Sequence, residues 1–203
     1  MKYLPIILLF FSCTKEPIGD IVPAENRNIN SIIYYAYQHI TNQGYVTYPM
    51  NQWSATVTFT SSCRYTTIDP LNQDDYSKLF GVRKSPLYQY RNGAYLAWCY
   101  VPQIIIGNDT LIDKIRIAWY LHNNNGGFEP MPLSQTIYVN LNEPVYLYLR
   151  NYNSYFVYNL NGQAIYINKQ EHEIANFSGG YRLSPHSGGD ETQDHNMLVS
   201  ITN

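Results

Sequence analysis

The sequence predicts an all-β chain, an antiparallel β-sandwich, on three observations. From Ile29 onward no segment keeps a 3.6-residue apolar period with helix caps, whereas many alternate apolar with polar residues or run through β-branched and aromatic ones. The links between those runs carry turn chemistry at short intervals: Gly107-Asn108-Asp109, Asn123-Asn124-Asn125-Gly126-Gly127, Asn161-Gly162 and Gly188-Gly189-Asp190. The 203 residues also include 21 Tyr against 7 Phe, and a flat aromatic with a polar tip suits a half-buried pleated surface. With 13 Lys+Arg, 15 Asp+Glu and a formal net charge of -2, the chain lacks the basic excess of a nucleic-acid binder, so no nucleic acid is expected as a partner. Its 45% hydrophobic content is ample for a core and excludes a disordered acidic tail.

The N-terminus comes first. Met1-Lys2-Tyr3 supplies a positive charge, Leu4 to Phe11 is an apolar run and Ser12-Cys13 follows at once. The run is too short for a bilayer span, which takes about 20 residues, but it has the layout of a secretory signal. Because it ends on a cysteine, it resembles a bacterial lipoprotein signal, in which the cysteine becomes the acylated first residue. That resemblance implies a signal peptide over 1–12, palmitate-type lipidation of Cys13, a Pro/Gly-containing tether over 13–28 and a single β-sandwich domain over 29–203. Thr14 after the cysteine resembles lipoproteins sorted to an outer membrane, and Lys15-Glu16 echoes acidic surface-export signals of Bacteroidetes lipoproteins. The implied location is the outer membrane, with the cell surface preferred over the periplasmic leaflet.

Ten strands are expected: Ile29 to Ile40, Tyr45 to Tyr48, Ser54 to Thr67, Gly93 to Val101, Ile112 to His122, Gln135 to Leu141, Val145 to Arg150, Tyr155 to Leu160, Gln163 to Asn168 and Met197 to Thr202. Ile29 to Ile40 reads equally as a short helix. Asn161-Gly162 between two alternating runs is the sharpest hairpin signal, because a type I′ turn needs positive φ at both central residues.

Alternation then separates faces. In Ile115 to His122 the apolar set Ile115, Ile117, Trp119 and Leu121 must point to the core, which leaves Arg116, Ala118, Tyr120 and His122 opposite. In Val145 to Arg150 the same split puts Tyr146, Tyr148 and Arg150 outward, and Tyr95 joins them if Leu96 and Trp98 point inward. A surface of that kind stacks sugar rings on tyrosines and hydrogen-bonds hydroxyls with Arg, His and Tyr tips. The competing reading is plain cross-strand tyrosine pairing.

With Cys13 lipidated, Cys63 and Cys99 sit in an exported domain where a disulfide is permitted. Period-two alternation puts Cys63 with Val57 and Phe59 but Cys99 with Tyr95 and Ala97, so a bridge and two buried thiols both remain open. No CxxC, HExxH or paired Cys/His spacing is present, and no cofactor is expected. Asp190, Glu191 and Asp194 beside Gly188-Gly189 are candidate ligands of a structural Ca²⁺, against the alternative of a solvated turn.

Two stretches resemble something specific. Lys78-Leu79-Phe80-Gly81 followed by Asn92-Gly93-Ala94-Tyr95-Leu96-Ala97-Trp98 resembles strands of jelly-roll proteins related to polysaccharide lyases of the concanavalin-A-like class. Gly180-Tyr181-Arg182-Leu183-Ser184-Pro185-His186-Ser187-Gly188-Gly189-Asp190-Glu191 resembles the ending of small Bacteroidetes lipoproteins. The resemblance implies a jelly roll and a polysaccharide or other glycan as ligand. Such lyases carry arginines on the strand that here holds Tyr95 and Cys99, so the expectation is a non-catalytic glycan-binding sandwich. The alternatives are a lyase cleaving uronate glycans by β-elimination, with His122 or Tyr120 as base, and a structural envelope subunit.

Overall fold

The computed structural model describes residues 31–39, 41–42, 49–87, 91–130, 132, 135–188 and 193–202. Among the described residues twelve strands form in chain order: β1 Ser31–Tyr34, β2 Gln52–Phe59, β3 Ser77–Arg83, β4 Gly93–Ile106, β5 Asp109–His122, β6 Phe128–Pro130, β7 Ile137–Asn140, β8 Pro144–Asn151, β9 Tyr155–Leu160, β10 Gln163–Asn168, β11 Tyr181–Leu183 and β12 Met197–Thr202. All pairings are antiparallel. One sheet, here sheet A, runs β1-β12-β2-β8-β9-β10; the other, sheet B, runs β11-β3-β4-β5-β6, with β7 also paired to β5. The chain is therefore the expected antiparallel β-sandwich.

Local chemistry explains most boundaries. β9 and β10 close on Asn161 and Gly162, at φ 52° and 95°, the type I′ geometry their sequence announces. β4 and β5 are longer than alternation suggests and meet across Gly107-Asn108, with Ile106 opposite Asp109. Some expectations fail. Of the described residues within Ile29 to Ile40 only Ser31–Tyr34 are strand, and Tyr45 to Tyr48 lies outside the described residues. β2 ends at Phe59, and a 3-10 turn over Ser61–Cys63 follows. β3 is not among the strands that alternation gives, although the resemblance over Lys78 to Gly81 implies one: its seven residues are buried on both faces, so no polar alternation marks it.

The core lies between the sheets. Trp98 is fully buried at its centre, edge-on to Tyr34 at 5.4 Å and tilted against Phe59 at 5.1 Å. Its indole N–H donates to the Tyr34 hydroxyl at 3.1 Å, which donates in turn to the Lys78 carbonyl at 3.0 Å. Each large side chain removed from water in this way contributes about 1.5–3 kcal/mol, and the indole and phenol bring their polar tips inside already satisfied.

Candidate functional site

The face of sheet B turned away from the core is where charge and aromaticity converge. Antiparallel register sets its rows. Gly81, Tyr95 and Tyr120 lie side by side across β3, β4 and β5; so do Arg83, Gly93 and His122; Lys78, Ala97 and Ala118 form the next row, and Cys99 faces Arg116. An isolated bridge from Lys78 to His186 adds an imidazole at the β3 edge.

These groups touch. The Tyr95 ring lies 5.6 Å from His122 and 5.6 Å from His186, both edge-on, and Tyr120 lies 5.4 Å from His122. The Lys78 ammonium sits 4.2 Å from the centre of the Tyr120 ring and donates to the Tyr76 carbonyl at 2.6 Å. Gly81 is glycine for a local reason: a Cβ there would stand 2.5 Å from the Ala94 carbonyl oxygen and 2.7 Å from the Tyr95 ring, so its absence lets Tyr95 lie flat along the sheet. Gly188 likewise abuts the Tyr76 carbonyl and the Lys78 ammonium, where no side chain fits.

Burial sets the protonation states. It draws the His122 and His186 imidazoles down to about 4, with Lys78 adding to the effect, so both are neutral at pH 7. It draws Lys78 down to about 8 and pushes the Tyr120 hydroxyl up to about 12. Neutral imidazoles, a lysine close to releasing its proton and phenols within one cluster are the groups from which acid–base sites and anion sites are built.

Several expectations need correction. Tyr146, Tyr148 and Arg150 project outward as alternation requires, but from β8 in sheet A, on the opposite side of the sandwich from Tyr95, Arg116, Tyr120 and His122. The single surface expected from the sequence is thus two surfaces. The sheet B residues are not an open platform either, since Tyr95 is fully buried, His122 is 6% exposed and Tyr120 9%. Arg116 is held by Asp74 at 2.8 Å. Cys63 and Cys99 are separate buried thiols. Cys63 sits on the core side and donates to the Leu198 carbonyl, while Cys99 alternates to the other face beside Arg116. Of the Ca²⁺ candidates, Asp190 and Glu191 lie outside the described residues, and Asp194 is bonded to His195 at 2.6 Å. Among the described residues no cluster of three metal-ligating side chains occurs. Cys13 also lies outside the described residues, and among these no helix is long and apolar enough to cross a membrane.

Alternation in the sequence misses Lys78, Arg83, His186 and Tyr76. For Arg83 a signal exists, because Gly81-Val82-Arg83 alternates and places Gly81 and Arg83 opposite the core-facing Val82. For Lys78 it does not: a register shift between Lys78 and Phe80 breaks the period.

No family model matches this sequence, and no curated protein matches it. Solved structures do. The fold is similar to a family 18 polysaccharide lyase, aly-SJ02, at 10% identity and TM-score 0.47, covering 89% of this chain and 88% of that one. It is similar to an alginate lyase from Alteromonas sp. 272 at 10% identity and TM-score 0.43, covering 77% and 69%. It is also similar to a β-1,3-1,4-glucanase from a mouse hindgut metagenome at 10% identity and TM-score 0.40, covering 84% and 76%.

Proposed function

We propose that the outer face of sheet B binds an acidic glycan, a polysaccharide carrying uronate carboxylates, without cleaving it. The observation that carries this reading is the composition of the face. Lys78, Arg83 and Arg116 share it with two imidazoles and the Tyr95 and Tyr120 phenols; the strands β3, β4 and the stretch of β5 from Lys114 to His122 contain no carboxylate, and of the two that approach from the neighbouring turn Asp74 pairs with Arg116 while Asp75 acts on Lys78 and Tyr120, so cations outnumber carboxylates. An enclosed cation attracts a carboxylate more strongly than an exposed one, because the effective dielectric is lower. The Tyr120 phenol, the more exposed of the two rings, adds a hydroxyl that can bond to a sugar hydroxyl. Glycoside hydrolysis is not the reading, since it needs two carboxyl groups flanking the scissile bond, and of the two that approach this face Asp74 is engaged with Arg116. Tyr76, Lys78, Arg83, Tyr120, His122 and His186 each keep a small residual exposure, and a ligand meets the site through these groups.

A second reading is β-elimination, favoured by the neutral His122 imidazole packed between Tyr95 and Tyr120. In that chemistry a cation neutralises the uronate carboxylate, His122 or Tyr120 takes the proton α to it, and a protonated neighbour returns one to the departing oxygen. Retention in affinity gels holding polyuronates tests both. Wild type is expected to be retarded, Lys78→Met to lose about tenfold in affinity with its circular dichroism unchanged, and ultraviolet absorbance to stay flat. A rising absorbance from unsaturated product selects the second reading. Neither retardation nor absorbance across a uronate panel sinks both and leaves an envelope assembly subunit, recognised by one stoichiometric protein partner.

The same proposal includes the anchor: Cys13 carries acyl chains that hold the domain on the outer membrane, facing the cell exterior. Two or more chains, at about 0.8 kcal/mol per buried CH₂, make such attachment stable. Cys13→Ser is expected to abolish palmitate labelling and move the protein from the membrane to the soluble fraction. Labelling retained in that variant refutes the anchor.

A further inference from the structure

The face of sheet A turned away from the core plays no part in the site above, yet it is built with comparable care. Tyr146, Tyr148 and Arg150 stand along β8, and Tyr166 rises from β10. Tyr166 is 70% exposed and Tyr146 45%. Behind Tyr166 the rings brace one another. Tyr152 stacks on Tyr155 with centroids 4.6 Å apart and planes 16° apart, the Arg150 guanidinium lies 4.7 Å from the Tyr152 ring, and Tyr155 lies 6.3 Å from Tyr166. The stack occupies the faces of Tyr152 and fixes the margin from which Tyr166 stands into solvent.

The surroundings of these rings state what they fit. Register places Ser54 opposite Tyr148, Thr56 opposite Tyr146 and Asn159 opposite Tyr148 on the other side. Among the described outward-facing residues of sheet A, Arg150 is the one charged side chain, and it is engaged with Tyr152. A face so poor in charge offers nothing to an anionic polymer and little to the charged rim of a protein partner. Rings alternating with hydroxyls and amides match a neutral sugar chain, whose apolar ring faces stack on tyrosine and whose hydroxyls bond to Ser, Thr, Asn and the phenol tips. From Tyr146 to Arg150 the strand runs roughly 13 Å at about 3.3 Å per residue, the reach of a short oligosaccharide.

We propose that the outer face of sheet A is a second carbohydrate surface, which takes a neutral polysaccharide chain with Tyr146 and Tyr166 as stacking platforms. It is independent of the acidic site on sheet B and lies on the opposite side of the sandwich. The test is electrophoresis of the full-length chain through native gels holding a neutral β-glucan, a neutral mannan or alginate. Wild type is expected to be retarded by at least one neutral polysaccharide. The double variant Tyr146→Ala, Tyr166→Ala is expected to lose about tenfold of that affinity, with unchanged circular dichroism and unchanged behaviour in alginate; Lys78→Met keeps the neutral retardation. Absence of wild-type retardation in both neutral gels overturns the proposal, as does full retardation of the double variant. A wild-type dimer in sedimentation that the double variant loses assigns the face to a second copy and overturns it too.

Discussion

Lys169→Met is expected to lower the stability of the fold by about 3–5 kcal/mol, read as a fall in the urea midpoint and in Tm. Lys169 is fully buried. Its ammonium donates to the Asn151 side-chain oxygen at 2.5 Å and to the carbonyls of Tyr152, Phe177 and Asn153 at 2.6, 2.7 and 3.2 Å. It also lies 3.8 Å from the Phe177 ring centre and 4.5 Å from that of Phe156. One cation thus ties the β8–β9 turn to the segment that leads into β11. Methionine keeps most of the stem and removes only the charge, leaving oxygens that had been paired without a donor, at about 1–3 kcal/mol for each that stays dry. Against a usual total of about 5–15 kcal/mol this is a large share. A midpoint within the error of wild type refutes the reading of Lys169 as the knot of this region.

The position of Lys169 also shows what the sequence conceals. Gln163 to Asn168 announces β10 by strict alternation, but Lys169 follows it as an ordinary polar residue at a strand end. Nothing local distinguishes a lysine that snorkels to water from one closed in by four oxygens drawn from two separate stretches of chain. The tyrosines teach the same lesson at sheet level. Alternation placed Tyr120 and Tyr148 away from the core correctly, because that is a property of each strand alone. Which sheet each strand joins is a property of the topology, and β5 and β8 join different ones. Alternation also equates the second face of a strand with solvent. β9, β10 and β12 obey that, whereas the halves of β4 and β5 around Tyr95 and Tyr120 are buried on both faces. The candidate site sits in that exception: polar groups placed where the pattern promises water, but enclosed by protein.

Enclosure has a thermodynamic consequence that sets the acid limit of the fold. Unfolded, His122 and His186 take up protons near the ordinary histidine value of 6.5; folded, burial holds both at about 4. Between those values the unfolded chain binds more protons than the folded one, so the contribution of the two imidazoles is full above pH 6.5 and is lost as pH drops toward 4. Each imidazole is expected to contribute about 3 kcal/mol to that fall, less where water reaches its edge. The two are coupled through Tyr95, which packs on both rings, and through Lys78, whose charge disfavours either imidazolium. Lys78 adds a trend of the same sign at higher pH: its folded value of about 8 lies below the ordinary 10.5, so stability rises further between them, and Lys169, drawn down to about 7 by its burial, acts in the same sense. Urea melts at pH 7 and pH 4.5 should therefore differ by several kcal/mol in wild type. His122→Gln, which carries no titrating ring, should show a visibly shallower dependence, and the double variant with His186→Gln a shallower one still. A wild-type profile flat from pH 7 to 4.5 would mean that these imidazoles meet water freely, and the enclosed cationic pocket on which acidic-glycan recognition depends would go with it.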